Sequence, residues 1–235
     1  MASEDDKFPL HTAARLGQVS VADGLLKTDP KLSQRRDDDD RLPIHWAASS
    51  NNLDIVVLLA NQKSFDPDVQ DGSGWTPLMI AASVADSEPI LRLLLQKGAD
   101  VNEKNNSGAT ALHFVASKKN LDTARLLIEN KASTRVRDKR GQYAIHRAAA
   151  VGSAPMVTLL LRNRSALNAT DVEGFTPLHH AVAEGHGDVA VLLLKEGADH
   201  TLKNAEDMLA LDLAPDKDVR RYILQGAERE GVNLT

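Results

Sequence analysis

TPLHHAVAEGHGDVAVLLLKEGAD, Thr176 to Asp199, holds three histidines and a glutamate within its first eleven residues. Taken alone, HHAVAEGH (His179 to His186) resembles a metal-binding segment. The stretch has relatives along the chain, however: FPLHTAARLG from Phe8, LPIHWAASSNN from Leu42, TPLMIAASVAD from Thr76, TALHFVASKKN from Thr110, YAIHRAAAVGS from Tyr143 and LALDLAPDKD from Leu209. The second residues of the seven segments are Pro9, Pro43, Pro77, Ala111, Ala144, Pro177 and Ala210, at successive spacings of 34, 34, 34, 33, 33 and 33. Self-similarity at a fixed period of this length is the signature of a stacked repeat protein.

Each unit reads alike. A turn carrying glycine, DGSGW at Asp71 or DVEGF at Asp171, leads to Thr-Pro, where Thr can cap a helix and Pro sits in its first turn without losing a hydrogen bond. The short first helix carries small residues, such as Ala47–Ala48, Ala81–Ala82 and Ala148–Ala149, that admit a close neighbour. A second helix carries a leucine block, as at Leu93 to Leu95 and Leu192 to Leu194, and GAD at Gly98 and Gly197 places glycine at its stop position. No single unit can bury its apolar face, so the units are expected to stack into one elongated all-α domain, 1–235, with repeats starting near 5, 38, 72, 106, 139, 172 and 205. The last unit, with Ala210 for Pro and Asp212 for His, reads as a cap, and the third has one extra residue near Ala85 to Ser87.

Composition narrows the function classes. Aromatics are only 3% of the 235 residues, so the core must be leucine, alanine, valine and isoleucine. A net charge of -5 lacks the basic field that phosphate backbones require, which argues against nucleic acid. With no cysteine, disulfides, thiolate metal sites and cysteine nucleophiles are excluded. MASEDDKFPL has no apolar segment of signal-peptide length and VAVLLL is far too short to span a bilayer, so a cytoplasmic and nuclear protein without membrane contact is expected.

The T-P-L-H-x-A motif and the 33-residue period resemble the ankyrin-repeat family. That resemblance implies helix-turn-helix repeats with β-turn fingers, and a framework histidine that hydrogen-bonds backbone groups near the turn. His11, His45, His113, His146 and His179 share that slot, whereas zinc needs three or four ligands converging on one point. His180 and Glu184 share a helical face but make an incomplete site, and His186 falls between helices. No metal or cofactor is expected. The run Asp37 to Asp40 lacks calcium-loop spacing and aligns with the finger turns, with Asp40 where other fingers have Gly; that finger is expected to deviate locally. There is no phosphate loop or nucleophile elbow, so no enzyme is expected.

The aromatics are placed for recognition. Trp75 and Phe175 follow the finger glycine, while Trp46 and Phe114 follow the framework slot on the first helix. Both columns face the concave side of an ankyrin stack, and exposed aromatics on one face signal protein binding. The same columns hold Arg41, Ile80, Arg147 and His180; Lys118 and Glu184 lie one turn further on, and Asp39 and Asp71 add acidity at the fingers. These twelve residues form the expected protein-binding site, with charge of both signs along it.

DDDDRLPIHWAAS, DGSGWTPLMIAAS, ALHFVASKKN with LLIENKA, VRDKRGQYAIHRAAAVGS and PLHHAVAEGHGDVAVLLL resemble more specifically the gankyrin family and its fungal members. The resemblance implies an assembly chaperone of the proteasome regulatory particle that binds the C-terminal domain of an AAA ATPase subunit through its concave face. The family's interface positions fall on Arg41, Trp46, Trp75, Lys118, Arg147 and Glu184. An L-x-C-x-E element, tied to retinoblastoma binding in animal members, is impossible here. The expected protein is a monomer. The alternatives are an ankyrin regulator of a kinase or transcription factor and, more distantly, a metal-dependent enzyme.

Overall fold

A computed structural model describes residues 7–234. The chain forms two compact units, Met1–Ala111 and Leu112–Thr235. Among the described residues there is no strand, only one isolated bridge between Lys203 and Leu209.

The first unit contains α1 (Pro9–Leu16), α2 (Val19–Thr28), a 3-10 turn at Pro30–Gln34, α3 (Pro43–Ser49), α4 (Leu53–Ala60), α5 (Pro77–Ala82) and α6 (Glu88–Gln96). First helices stack on first helices, α1 on α3 and α3 on α5, while α2 packs on α4 and α4 on α6. The alanine pairs permit this: Ala13, Ala14, Ala47, Ala48, Ala81 and Ala82 are all buried. The inserted residue of the third repeat is absorbed between α5 and α6, where Ser87 Oγ donates to the carbonyls of Ala81 and Val84 and Asp86 takes a positive φ.

The second unit continues α7 (Ala111–Ser117) and adds α8 (Leu121–Glu129), α9 (Ala144–Ala150), α10 (Ala154–Arg162), α11 (Pro177–Ala183), α12 (Gly187–Lys195), a 3-10 turn at Ala210–Leu213 and α13 (Lys217–Arg229). Here α9 packs on α11 and α11 on the 3-10 turn, while α8 packs on α10, α10 on α12 and α12 on α13. The terminal α13 buries little beyond Ile223 and Ala227 and leaves its other face to water, as a cap must. Gly226 lets it approach Val191 of α12 at a distance no Cβ would allow.

The framework histidines do what their recurrence implies. His45, His146 and His179 each accept a backbone N–H on Nδ1, from Leu42, Tyr143 and Thr176, which leaves the hydrogen on Nε2. From Nε2 they donate to carbonyls of the following turn, those of Val69, Ala169 and Met208; His11 and His113 reach Arg41 O and Gln142 O in the same way. In the cap, Asp212 Oδ2 takes over the Nδ1 role by accepting Leu209 N–H. Burial lowers the pKa of all five rings, to about 4 for His113 and His146.

The fingers rest on one side chain each. Oδ1 of Asp37, Asp71, Asn105, Asp138, Asp171 and Asn204 accepts the backbone N–H groups two and four residues on, at 2.9–3.0 Å. The residue between those two has positive φ: Gly74, Gly108, Gly141 and Gly174 lie at 77°, 77°, 74° and 78°. Asp40 was expected to distort its finger, and it does not. It takes φ 59°, its N–H reaches Asp37 O at 3.1 Å as Gly74 reaches Asp71 O at 2.8 Å, and Asp37 N–H still closes on Arg41 O. Asp tolerates the left-handed region better than most residues, so the finger keeps its shape at a local cost.

Two outcomes follow from these features. Asp40→Gly should stabilise the protein by roughly 0.5–1 kcal/mol in urea unfolding, since the relief of left-handed strain exceeds both the added chain entropy and the loss of an exposed pair with Arg36. His113 and His146, lowered to about 4, stay neutral in the folded protein below pH 6.5, where the unfolded chain protonates them. Their stabilisation is therefore complete above about pH 6.5 and is lost as pH falls toward 4, each of the two rings contributing up to about 1.4 kcal/mol per pH unit, and the lowered His11, His45 and His179 act in the same direction. The urea midpoint should drop steeply between pH 7 and pH 5; a flat profile would contradict the neutral-framework assignment.

Candidate protein-docking site

The site builds from the finger carboxylates outward. With Oδ1 spent on the turn, the second oxygen of each finger Asp is left to hold a side chain. In the first unit, Asp37 Oδ2 accepts the indole N–H of Trp46 at 2.7 Å, and Asp71 Oδ2 accepts Arg41 Nε at 3.2 Å. The Arg41 guanidinium lies 5.0 Å from the centroid of the Trp46 ring and that of Arg15 5.9 Å from it, so the indole carries two cation–π contacts. Burial alone would raise the Asp37 carboxyl, but the hydrogen bonds from Trp46 and from the backbone of Arg41 and Asp39 hold it below the usual carboxylate range.

The second unit repeats the arrangement with other side chains. Asp138 Oδ2 accepts Arg147 Nη2 at 2.7 Å, and that guanidinium lies 5.5 Å from the centroid of Phe114. Asp171 Oδ2 accepts from both His180 Nε2 at 2.9 Å and Gln142 Nε2 at 3.2 Å. His180 also leans on Phe175, ring centroids 5.4 Å apart. At Asp138 and Asp171 burial again pushes the carboxyl up and is outweighed, by Arg147 at one and by His180 and Gln142 at the other, leaving both below the ordinary value. These groups border a cleft of about 410 Å³ whose walls include Arg140, Gln142, Arg147, Val151, His180 and Glu184. Its chemistry is bipolar: cations and an imidazole near the fingers, and the exposed Glu184 carboxylate at the end of α11.

Several expected site residues end up in different roles. Ile80 is 7% exposed and belongs to the core rather than to an outer face, because α5 is buried along its whole length. Asp71 is 6% exposed and its carboxylate is consumed by its own finger and Arg41, so it adds no open acidity. Trp46, Trp75, Phe114 and Phe175 are half-buried rather than exposed. Arg41 and Arg147 are paired internally and not free cations. Lys118 and Glu184 are exposed, and Asp39 has an exposed side chain while its carbonyl accepts Gly72 N–H from the next finger at 3.2 Å. The three histidines of HHAVAEGH face three ways: His179 to Met208 O, His180 to Asp171, and His186 to Ala150 O of the preceding repeat.

Sequence reasoning missed the anchoring role of Asp37, Asp138 and Asp171, and the place of Arg15 and Arg140. A signal existed. The anchored donor stands nine residues after its Asp in the pairs Asp37–Trp46, Asp138–Arg147 and Asp171–His180.

A model of ankyrin repeats in three copies matches residues 1–71, 45–138 and 112–204. No curated protein matches the chain. Among solved structures, the ankyrin repeat domain of Bcl-3, a member of the IkappaB protein family, is similar to it with 28% identity and a TM-score of 0.78, over 94% of this chain and 99% of that one. As many as 610 solved chains match, so the architecture by itself selects no partner. With the repeat period, the fingers, the framework histidines and a family match spanning most of its length, the chain belongs to the ankyrin-repeat family.

Proposed function

We propose that this protein-binding scaffold is an assembly chaperone of the proteasome regulatory particle, engaging the C-terminal domain of an AAA ATPase subunit through the first-helix and finger face of its repeats. The reading takes the protein to act as a monomer in the cytoplasm and nucleus, without cofactor. Its partner rests on the sequence resemblance to the gankyrin family. What supports the face is that the positions singled out by that resemblance include Arg41 and Trp46 in one unit and Arg147 in the other, each held half-buried by a finger carboxylate. Rigid, partly desolvated arginine and aromatic groups are the kind of contact that carries binding energy.

A second reading, an ankyrin-repeat regulator of a kinase or transcription factor, uses the same scaffold, and the likeness to the ankyrin repeat domain of an IkappaB-family member leaves it open. Affinity capture from lysate with the wild type and with Arg41→Glu plus Glu184→Arg separates the two. Proteasomal ATPases should come down with the wild type and be lost with the double reversal, and the association should weaken with salt. Arg41→Glu also leaves Asp71 without its cation, so Glu184→Arg alone, on an exposed carboxylate, reports binding free of that folding cost. Wild type that captures no ATPase, or variants that capture it unchanged, sink the chaperone reading or its site; a transcription factor in its place supports the second.

A further inference from the structure

A finger needs only one oxygen. Asn105 and Asn204 close their turns as well as any Asp does, each through Oδ1 to two backbone N–H groups. The negative charge on Asp37, Asp71, Asp138 and Asp171 is therefore surplus to turn formation. In all four, the second oxygen meets a donor: Trp46, Arg41, Arg147, and His180 together with Gln142. Asn204 has Leu213 nine residues on and Phe175 twenty-nine residues before, neither of which is a donor, and its Nδ2 finds no partner among the described residues. At each of the four charged fingers, then, the oxygen that the turn does not use is engaged by a side-chain donor.

The geometry points to a second role for Asp138 and Asp171: we propose that they are positioning residues of the docking surface, which hold Arg147 and His180 in the orientation a partner meets without touching that partner themselves. The inference rests on the docking reading above. Both carboxylates are nearly inaccessible, 2% and 3% exposed, while the side chains they hold are 21% and 17% exposed on the wall of the cleft. Arg147 is fixed on two sides, by Asp138 at 2.7 Å and by the Phe114 ring at 5.5 Å, and an arginine uses few of its five donors in that way. The rotamer freedom of a long cation is then lost on folding rather than on binding, which raises affinity by preorganisation.

Asp138→Asn isolates the second role, because Asn supports fingers elsewhere in this chain while its amide offers Arg147 no anion. The free protein is labelled at arginine with phenylglyoxal and mapped by mass spectrometry; then wild type, Asp138→Asn, Arg147→Ala and the double variant are titrated with the C-terminal domain of the proteasomal ATPase. Asp138→Asn should unfold cooperatively, expose Arg147 to measurably faster labelling and weaken binding roughly fivefold or more, as Arg147→Ala does. The double variant should bind no worse than Arg147→Ala alone, since both changes remove one unit. Unchanged labelling, losses that multiply in the double variant, or an Asp138→Asn protein that does not fold would each overturn the proposal. If the wild type does not bind, the ATPase reading fails separately, and the labelling alone decides whether Asp138 positions Arg147.

Discussion

The interaction on which the rest depends is the two-for-one hydrogen bond at each finger, in which one side-chain oxygen accepts the backbone N–H groups two and four residues on. A tight turn leaves those donors without backbone partners, and burying them unpaired would cost on the order of 1–3 kcal/mol each. Satisfying both from one short side chain fixes the turn and sets the entry angle of the first helix. It also aligns adjacent fingers: Gly72 N–H reaches Asp39 O and Asn106 N–H reaches Ser73 O in the first unit, and Val172 N–H reaches Arg140 O and Ala205 N–H reaches Glu173 O in the second. The framework histidine completes the arrangement, joining the start of its own helix to the backbone of the next turn.

Where the finger residue is Asp, its second oxygen also holds a side chain of a first helix or of a neighbouring finger. Arg41 and Arg147 reach the outer face as clamped cations, each paired with a carboxylate and set against an aromatic ring, and not as mobile surface charges. An exposed pair would contribute little. A nearly buried carboxylate whose other oxygen already accepts two backbone N–H groups is a stronger anchor.

Much of the fold was legible because the determinants of a repeat protein are short-range and recur. Pro at the first helical position, Thr at the cap and Gly after the second helix each act within a few residues, and seven copies separate pattern from accident. Recurrence set the five histidines apart from a converging ligand set, and the ankyrin resemblance supplied their framework role. The candidate site was legible as columns of residues, such as Trp46 and Arg147, but not as bonded groups. Asp40 shows the limit at a single position: the sequence marks an unfavourable backbone conformation, and only the coordinates show that the residue adopts it rather than remodelling the turn.

By itself the sequence determined the period, the helix pairs, the finger turns and the residues that occupy equivalent slots, since each follows from local propensity and nearest-neighbour burial. Tertiary structure decided which of those equivalent residues are available. Ile80 and Trp46 occupy one column, yet Ile80 is buried where α5 packs, while Trp46 stands half-open over a carboxylate nine residues before it. Arg41 is claimed by Asp71, thirty residues away, and Gln142 by Asp171, twenty-nine away. Pairings between successive fingers depend on the stacking distance and the direction each side chain takes from its turn, and a column of letters carries neither.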